Sequence, residues 1–299
     1  MGTPEQAGPW PERPAFRIDL PSGKTLDMGP RPLVMGVLNV TPDSFSDGGR
    51  FAETQAAVEH ALRMCAEGAD ILDVGGESTR PGSDAVPADA EIDRVLPVIR
   101  GLAGRVDAPI SIDTQKAEVA AAALDAGAEI INDVSALRTD PNMPALAAAR
   151  DAPVVLMHMQ GTPKTMQAEP AYGEVVGEVI DWLQERVDYA VARGVAEERI
   201  VVDPGIGFGK KLGHNLELLR RLGEMHALGR PLLVGTSRKS MIGTILGLPA
   251  DERLCGTLAT VAGAVLSGCH VVRVHDVRPA REVVAVCEAI RQGIGFGDA

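Results

Sequence analysis

Eight short runs of β-branched and other apolar residues recur along the chain, at residues 33–39, 71–77, 109–113, 130–133, 153–158, 200–203, 232–239 and 271–275. Runs of this kind, bounded by Gly, Pro or Asp, read as strands buried on both faces. The intervening segments carry helical periodicity. In 56–68, Ala57, Val58, Ala61, Leu62 and Cys65 form an apolar stripe at the i, i+3, i+4 spacing of a helix packed on a sheet. Residues 118–126, 143–150, 174–193, 216–228, 253–267 and 281–291 behave similarly, and Gly68, Gly127, Gly194 and Gly268 stand where helices should stop. Strand–helix alternation of this length also fits a doubly wound open sheet. Eight repeats without a dinucleotide fingerprint after the first strand favour a (β/α)₈ TIM barrel. Residues 16–20 and 25–28, separated by a Pro-Ser-Gly-Lys turn, predict an N-terminal β-hairpin capping the barrel bottom.

Each apolar run ends on polar or charged residues, at the barrel face where active sites lie. Arg273 and His275 alternate on the eighth strand and share its inner face. With Arg80 they suit a phosphate or diphosphate gripped by a bidentate guanidinium; the other reading ties Arg273 to a carboxylate such as Asp73. Asp113, Asn132, Asp203 and Lys239 come from four different strands. Together they offer the acceptors and donors that the edge of a planar, amide-like ring requires. The turn Asp203-Pro-Gly-Ile-Gly-Phe-Gly-Lys210 lacks phosphate-loop spacing. Its glycines let backbone approach a flat ligand, with Phe208 available for stacking. Asn39 and Asp43, joined by a diphosphate, could hold Mg²⁺, which favours oxygen ligands. Residues 41–51, 78–88 and 159–172 exceed the length of ordinary turns, as substrate-covering loops do.

At 299 residues the chain suits one large domain, expected over 16–299, behind a Pro-rich, loosely ordered tail of residues 1–15. A net charge of −12 argues against nucleic acid as a partner. No apolar stretch is long enough for a membrane helix, and the start lacks the features of a signal peptide. Cys65, Cys255, Cys269 and Cys287 show no C-x-x-C spacing and read as buried thiols of a cytoplasmic protein.

The segments MGVLNVTPDSFSDGG (35–49) and DVGGESTRPG (73–82) resemble the two signature segments of the dihydropteroate synthases. SIDT (111–114), INDV (131–134), LMHM (156–159), DPGIGFGK (203–210), TSRKS (236–240) and RVHDV (273–277) also match that family, in its order. The resemblance implies a transferase of folate biosynthesis, joining 6-hydroxymethyl-7,8-dihydropterin diphosphate to 4-aminobenzoate by an SN1-like route. It implies that Asp113, Asn132, Asp203 and Lys239 hold the pterin, while Met157, Phe208 and Gly235 line its ring. Asn39, Arg80, Arg273 and His275 would surround the diphosphate, Asn39 also binding Mg²⁺. Phe45, Thr79, Arg80, Pro81 and Ser240 would take the 4-aminobenzoate, and Asp113, Lys239, Arg273 and His275 would carry the catalysis. It further implies a homodimer and, from the unaltered Ser44–Ser46 and Ser78–Pro81 loops, sulfonamide sensitivity. A pterin-dependent methyltransferase would have no use for the anion set, and a non-catalytic paralogue would have lost Arg273, Lys239 or the loop motifs.

Overall fold

The computed structural model describes residues 10–41, 49–80 and 82–293; Asp43, Phe45 and Pro81 lie outside them. A short antiparallel hairpin, β1 (Phe16–Asp19) and β2 (Thr25–Met28), precedes the barrel. The barrel strands are β3 (Leu33–Asn39), β4 (Ile71–Gly75), β5 (Ile110–Asp113), β6 (Ile130–Asp133), β7 (Val154–Met157), β8 (Ile200–Asp203), β9 (Leu233–Val234) and β10 (Val271–Val274). All pair in parallel in the order β8-β7-β6-β5-β4-β3-β10-β9. A parallel bridge between Val202 and Leu232 joins the two ends, so the sheet closes and the open-sheet alternative falls.

Residue alternation divides the core into two layers. Leu72, Val74, Ile112, Ile131, Leu156, Val202 and Val272 face outward and pack with the surrounding helices. Met35, Ile71, Ile130, Val155, Val201, Leu233 and Val271 point inward at the strand starts. There they meet Ile18, Leu20, Leu26 and Met28 of the hairpin, which plugs the bottom as expected. A void of about 10 Å³ remains inside this plug, lined only by apolar side chains, which offer a water molecule no partners.

The helices are α1 (Gly49–Ala66), α2 (Ala88–Leu102), α3 (Ala117–Ala126), α4 (Met143–Ala149), α5 (Val175–Ala192), α6 (Leu212–Arg220), α7 (Ser240–Leu246), α8 (Leu254–Leu266) and α9 (Val277–Gln292). Gly68, Gly127, Gly194 and Gly268 all adopt positive φ just past helix ends, as their places in the sequence required. Sequence periodicity did not reveal α2 or α7. Pro97 interrupts the α2 pattern, and α7 is only 7 residues long. The helix expected over 216–228 is two pieces, since α6 ends at Arg220 and a 3₁₀ segment covers Leu222–Leu228.

Residues 10–15 of the Pro-rich tail are held by the domain rather than loose. Arg13 is buried and donates to Glu288 (2.6 Å) and to the Val265 carbonyl (3.2 Å). The expectation that all four cysteines are buried fails for Cys255, which is exposed, and Cys65, which is half-buried.

Ile18, wholly buried in the bottom plug, sets a test of that packing. Ile18→Ala should lower the unfolding free energy by about 2–5 kcal/mol, measured by urea denaturation, with the strand ends above left intact.

Candidate active site

Strand register delivers the polar residues to one level. Asn39 of β3 pairs with Gly75 of β4, Gly75 with Asp113 of β5, and Asp113 with Asn132 of β6, while Met157 of β7 sits opposite Asp203 of β8. One step down, Asp73 lies beside Ser111. Because side chains alternate, these residues face the same interior as the apolar plug, but at its upper end. Gly75 leaves room there: a Cβ on it would stand 3.4 Å from the Asp113 Cβ.

Arg273 is the centre of the ion cluster. Its Nε donates to Asp73 Oδ2 at 2.6 Å and its Nη2 to Asp113 Oδ2 at 2.7 Å. Asn132 Nδ2 donates to the same Asp73 oxygen at 3.0 Å. Of the two readings of Arg273, the paired one is therefore the arrangement seen. The second oxygens of Asp73 and Asp113 are buried without a hydrogen-bond partner among the described residues. Burial pushes the Asp113 carboxyl up to about 7, with Asp73 adding to the rise against the opposing pull of Arg273. Burial works against the Arg273 charge, but the Asp73 and Asp113 carboxylates raise its pKa.

Asp203 ends β8 and accepts from the Gly205 amide at 2.7 Å. Burial raises its carboxyl to about 6, against that hydrogen bond and the charge of Lys239. Lys239 Nζ lies 4.0 Å from the centre of the Phe208 ring, a cation–π contact. Burial, followed by the charge of Arg273, brings Lys239 down to about 8. Phe208 packs with Met157, Met159 and Met166, so an apolar wall stands beside the carboxylates.

The turn after β8 is closed by Lys210. Its ammonium donates to the carbonyls of Gly205 (3.0 Å) and Phe208 (3.1 Å) and lies 2.8 Å from His158 Nδ1. His158 packs edge-on against Trp182 at 4.8 Å. Burial and the Lys210 charge hold its pKa far below the ordinary range, so it is a neutral acceptor. Burial likewise lowers Lys210 to about 7. Gly205 has φ +65°, and a Cβ there would collide with the His158 carbonyl, so the turn needs glycine at that position.

His275 receives hydrogen-bond support from Ser237, whose Oγ is 3.0 Å from Nδ1. Burial, then the charges of Arg238, Arg273 and Arg80, bring it down to about 3. Arg238, at φ 58°, pairs with Asp276 through two bonds of 3.2 and 2.7 Å, bracing the segment that carries Lys239. Arg80 and Ser240 are exposed at the rim, and Thr79 and Asn39 are half-buried. The structure thus brings Asp113, Asn132, Met157, Asp203, Phe208, Lys239, Arg273 and His275 together, with Gly235 at the Arg273 side chain and Arg80 close enough to act on Lys239 and His275.

Residues 35–275 match the family described as pterin binding enzyme. The chain is 48% identical over 277 residues to the dihydropteroate synthase of Synechocystis, covering 92% of this chain and 96% of that one. The chain belongs to the dihydropteroate synthase family. A Yersinia pestis dihydropteroate synthase solved with a sulfonamide drug complex is 45% identical, with a TM-score of 0.87, covering 93% of this chain and 100% of that one. The Xanthomonas albilineans dihydropteroate synthase in complex with 7,8-dihydropteroate is 42% identical, with a TM-score of 0.84 and the same coverage of both chains.

Several supporting groups escaped the sequence reading of this family member. Lys210 stood in the family motif but received no role; its place after three glycines in a strand-end turn was the available signal. Ser237 could have been found only from the closeness of β10 to the end of β9. Lys116, Glu77 and Glu91 form a further ion cluster beside the site, and no periodicity joins them.

Removing the Lys210 ammonium strands buried acceptors on Gly205, Phe208 and His158. Lys210→Ala should cost about 2–4 kcal/mol of stability by denaturant titration and should loosen the turn that carries Phe208.

Proposed function

We propose that this family member joins 6-hydroxymethyl-7,8-dihydropterin diphosphate to 4-aminobenzoate, giving 7,8-dihydropteroate and diphosphate, with the roles below. The observation that carries the assignment is the meeting of Asp113, Asn132, Asp203 and Arg273 at the C-terminal ends of four parallel strands with Lys239 from the segment between β9 and α7. The sulfonamide and dihydropteroate carried by related synthases support the same substrates here.

Ionised Asp203 accepts two N–H bonds from the aminopyrimidinone edge, Asn132 donates and accepts beside it, and Lys239 donates to a ring acceptor. Met157, Phe208 and Gly235 bound the ring faces. Arg273, His275, Arg80 and Asn39 receive the diphosphate. Arg273 arrives already fixed by Asp73 and Asp113, so its guanidinium needs little reorganisation when phosphate oxygens approach. The pterin methylene–oxygen bond breaks, its electron pair leaving with the diphosphate. The arylamine nitrogen of 4-aminobenzoate then attacks the methylene and loses a proton. Asp113 and Asp73 place negative charge near the developing cation, and no protein nucleophile is needed. Thr79, Arg80 and Ser240 stand at the rim to receive the arylamine, joined by Phe45 and Pro81, which lie outside the described residues.

Mg²⁺ fits the donor set in a restricted sense. Among the described residues no cluster of three His, Cys, Asp or Glu side chains could enclose a metal. Asn39, half-buried at the end of β3, offers one neutral oxygen, as Mg²⁺ held mainly by substrate phosphates and water would require. When bound, the ion would offset charge on the departing diphosphate. A homodimer is supported by Val286 and Ile290, one turn apart on α9 and 60% and 55% exposed, an apolar pair of the kind that associates. No helix among the described residues is long and apolar enough to cross a membrane; a cytoplasmic location belongs to the same proposal.

Diphosphate release from purified protein should require Mg²⁺ and yield dihydropteroate only with 4-aminobenzoate, and a sulfonamide should compete with that arylamine. Release without any pteroate product would sink the synthase reading. Asp203→Asn should weaken pterin binding by about 1–3 kcal/mol, read by calorimetry. Because the ionised form of Asp203 accepts the ligand N–H pair, affinity is full above about pH 7. It falls as pH drops through the Asp203 pKa near 6, approaching about tenfold per unit. In Asp203→Asn that pH dependence should vanish.

A further inference from the structure

The loop that leaves β4 toward Thr79 and Arg80 is rooted in an ion cluster with no part in the steps above. Lys116, the residue preceding α3, bonds to Glu77 Oε2 and, at 2.5 Å, to Glu91 Oε2. Glu91 lies in the first turn of α2 and its side chain is fully buried. Its other carboxylate oxygen has no partner among the described residues. Burial drives the Glu91 carboxyl upward and Lys116 opposes that rise. A carboxylate taken out of water keeps its charge only beside a cation, so Glu91 holds Lys116 in place.

Lys116 in turn holds Glu77, two residues before Thr79. The neighbouring backbone is pinned independently. Arg94 of α2 donates to the Gly76 carbonyl at 2.7 Å. A Cβ on Gly76 would stand 2.8 Å from Val95 Cγ1 and 3.0 Å from Glu91 Cγ, so glycine allows the loop root to lie flat on α2. Further along, the Gly82 amide donates to the Pro163 carbonyl at 3.0 Å. The Lys164–Asp84 pair beside it is solvent-exposed on both sides and contributes little. Gly76 is thus anchored by Arg94, and Glu77, the next residue toward Thr79, by the Lys116–Glu91 post.

We infer that Lys116 is a positioning residue for the arylamine half of the reaction: by tying Glu77 to buried Glu91 it fixes the backbone that presents Thr79 and Arg80. The inference rests on the substrate assignment above and deepens it. Lys116 belongs to neither substrate's binding set, so its effect should be selective. Loss of the bridge should weaken 4-aminobenzoate and leave the pterin diphosphate, held by the strand ends, untouched.

The test compares Glu77→Met, Lys116→Met and Lys116→Arg with wild type by steady-state kinetics, calorimetry and thermal unfolding. Glu77→Met, which has no carboxylate or amide oxygen to accept from Lys116, cuts only the loop-side bond and leaves the buried Lys116–Glu91 pair intact, so it should fold normally. Its KM for 4-aminobenzoate should rise about tenfold, the loss of one charge-assisted hydrogen bond, with pterin diphosphate affinity and Tm unchanged. Lys116→Met should show the same KM rise with a lower Tm. Lys116→Arg, which keeps a bridging cation, should restore the wild-type KM. A folded Glu77→Met protein with unaltered KM for the arylamine, or with equal losses on both substrates, overturns the inference. Wild type that releases no diphosphate overturns the substrate assignment instead. The calorimetric affinities of the variants for 4-aminobenzoate, with diphosphate present, then decide the positioning role without turnover.

Discussion

Everything at the upper end of the barrel depends on keeping Arg273 charged between two carboxylates where water is scarce. Its bonds to Asp73 and Asp113 offset a desolvation cost of several kcal/mol per ion. The pairing survives only if three strands hold their register, since Asp73, Asp113 and Arg273 come from β4, β5 and β10. A slip of one residue would turn each side chain outward among the helices. The register of β4 and β10 is secured from below, where their inward residues Ile71 and Val271 close on the hairpin plug, and β5 is held between β4 and β6 by its ladder. The apolar bottom of the barrel thus supports the electrostatics of its top.

A second consequence is that the site is prepared before any ligand arrives. Burial leaves Asp113 and Asp203 with raised pKa values and Lys239 with a lowered one, while unpartnered oxygens remain on Asp73 and Asp113. Such groups are short of hydrogen bonds and gain from a ligand that supplies them. A flat heterocycle with a donor–acceptor edge and a leaving diphosphate meets that need, which links the family assignment to the physical state of these side chains. In the proposed reaction, catalysis is a matter of placed charge rather than covalent attack.

The loops divide the remaining labour. The β8 turn is braced by Lys210 against neutral His158, and the β9–α7 segment by Arg238 on Asp276. The β4 loop is braced by Lys116 on Glu77 and Glu91. In each case a cation set back from the strand ends fixes the backbone that carries a group facing the site. Such supports let the groups near the substrates remain few.

The sequence by itself determined the repeat of buried strands and helices, the barrel class, the bottom hairpin and the residues that crown the strands. These follow from local rules: apolar runs make buried strands, glycine ends helices, and a polar residue after such a run has to emerge at the strand end. The family motifs added the substrates. Tertiary structure alone decided which charges pair. That Arg273 chooses both Asp73 and Asp113, separated from it by 200 and 160 residues, follows from barrel closure, which no local pattern encodes. It also revealed α2, whose periodicity Pro97 obscures, and placed buried Glu91 beneath Lys116. Ion pairing depends on distance and dielectric in three dimensions, and those are set only when the sheet closes.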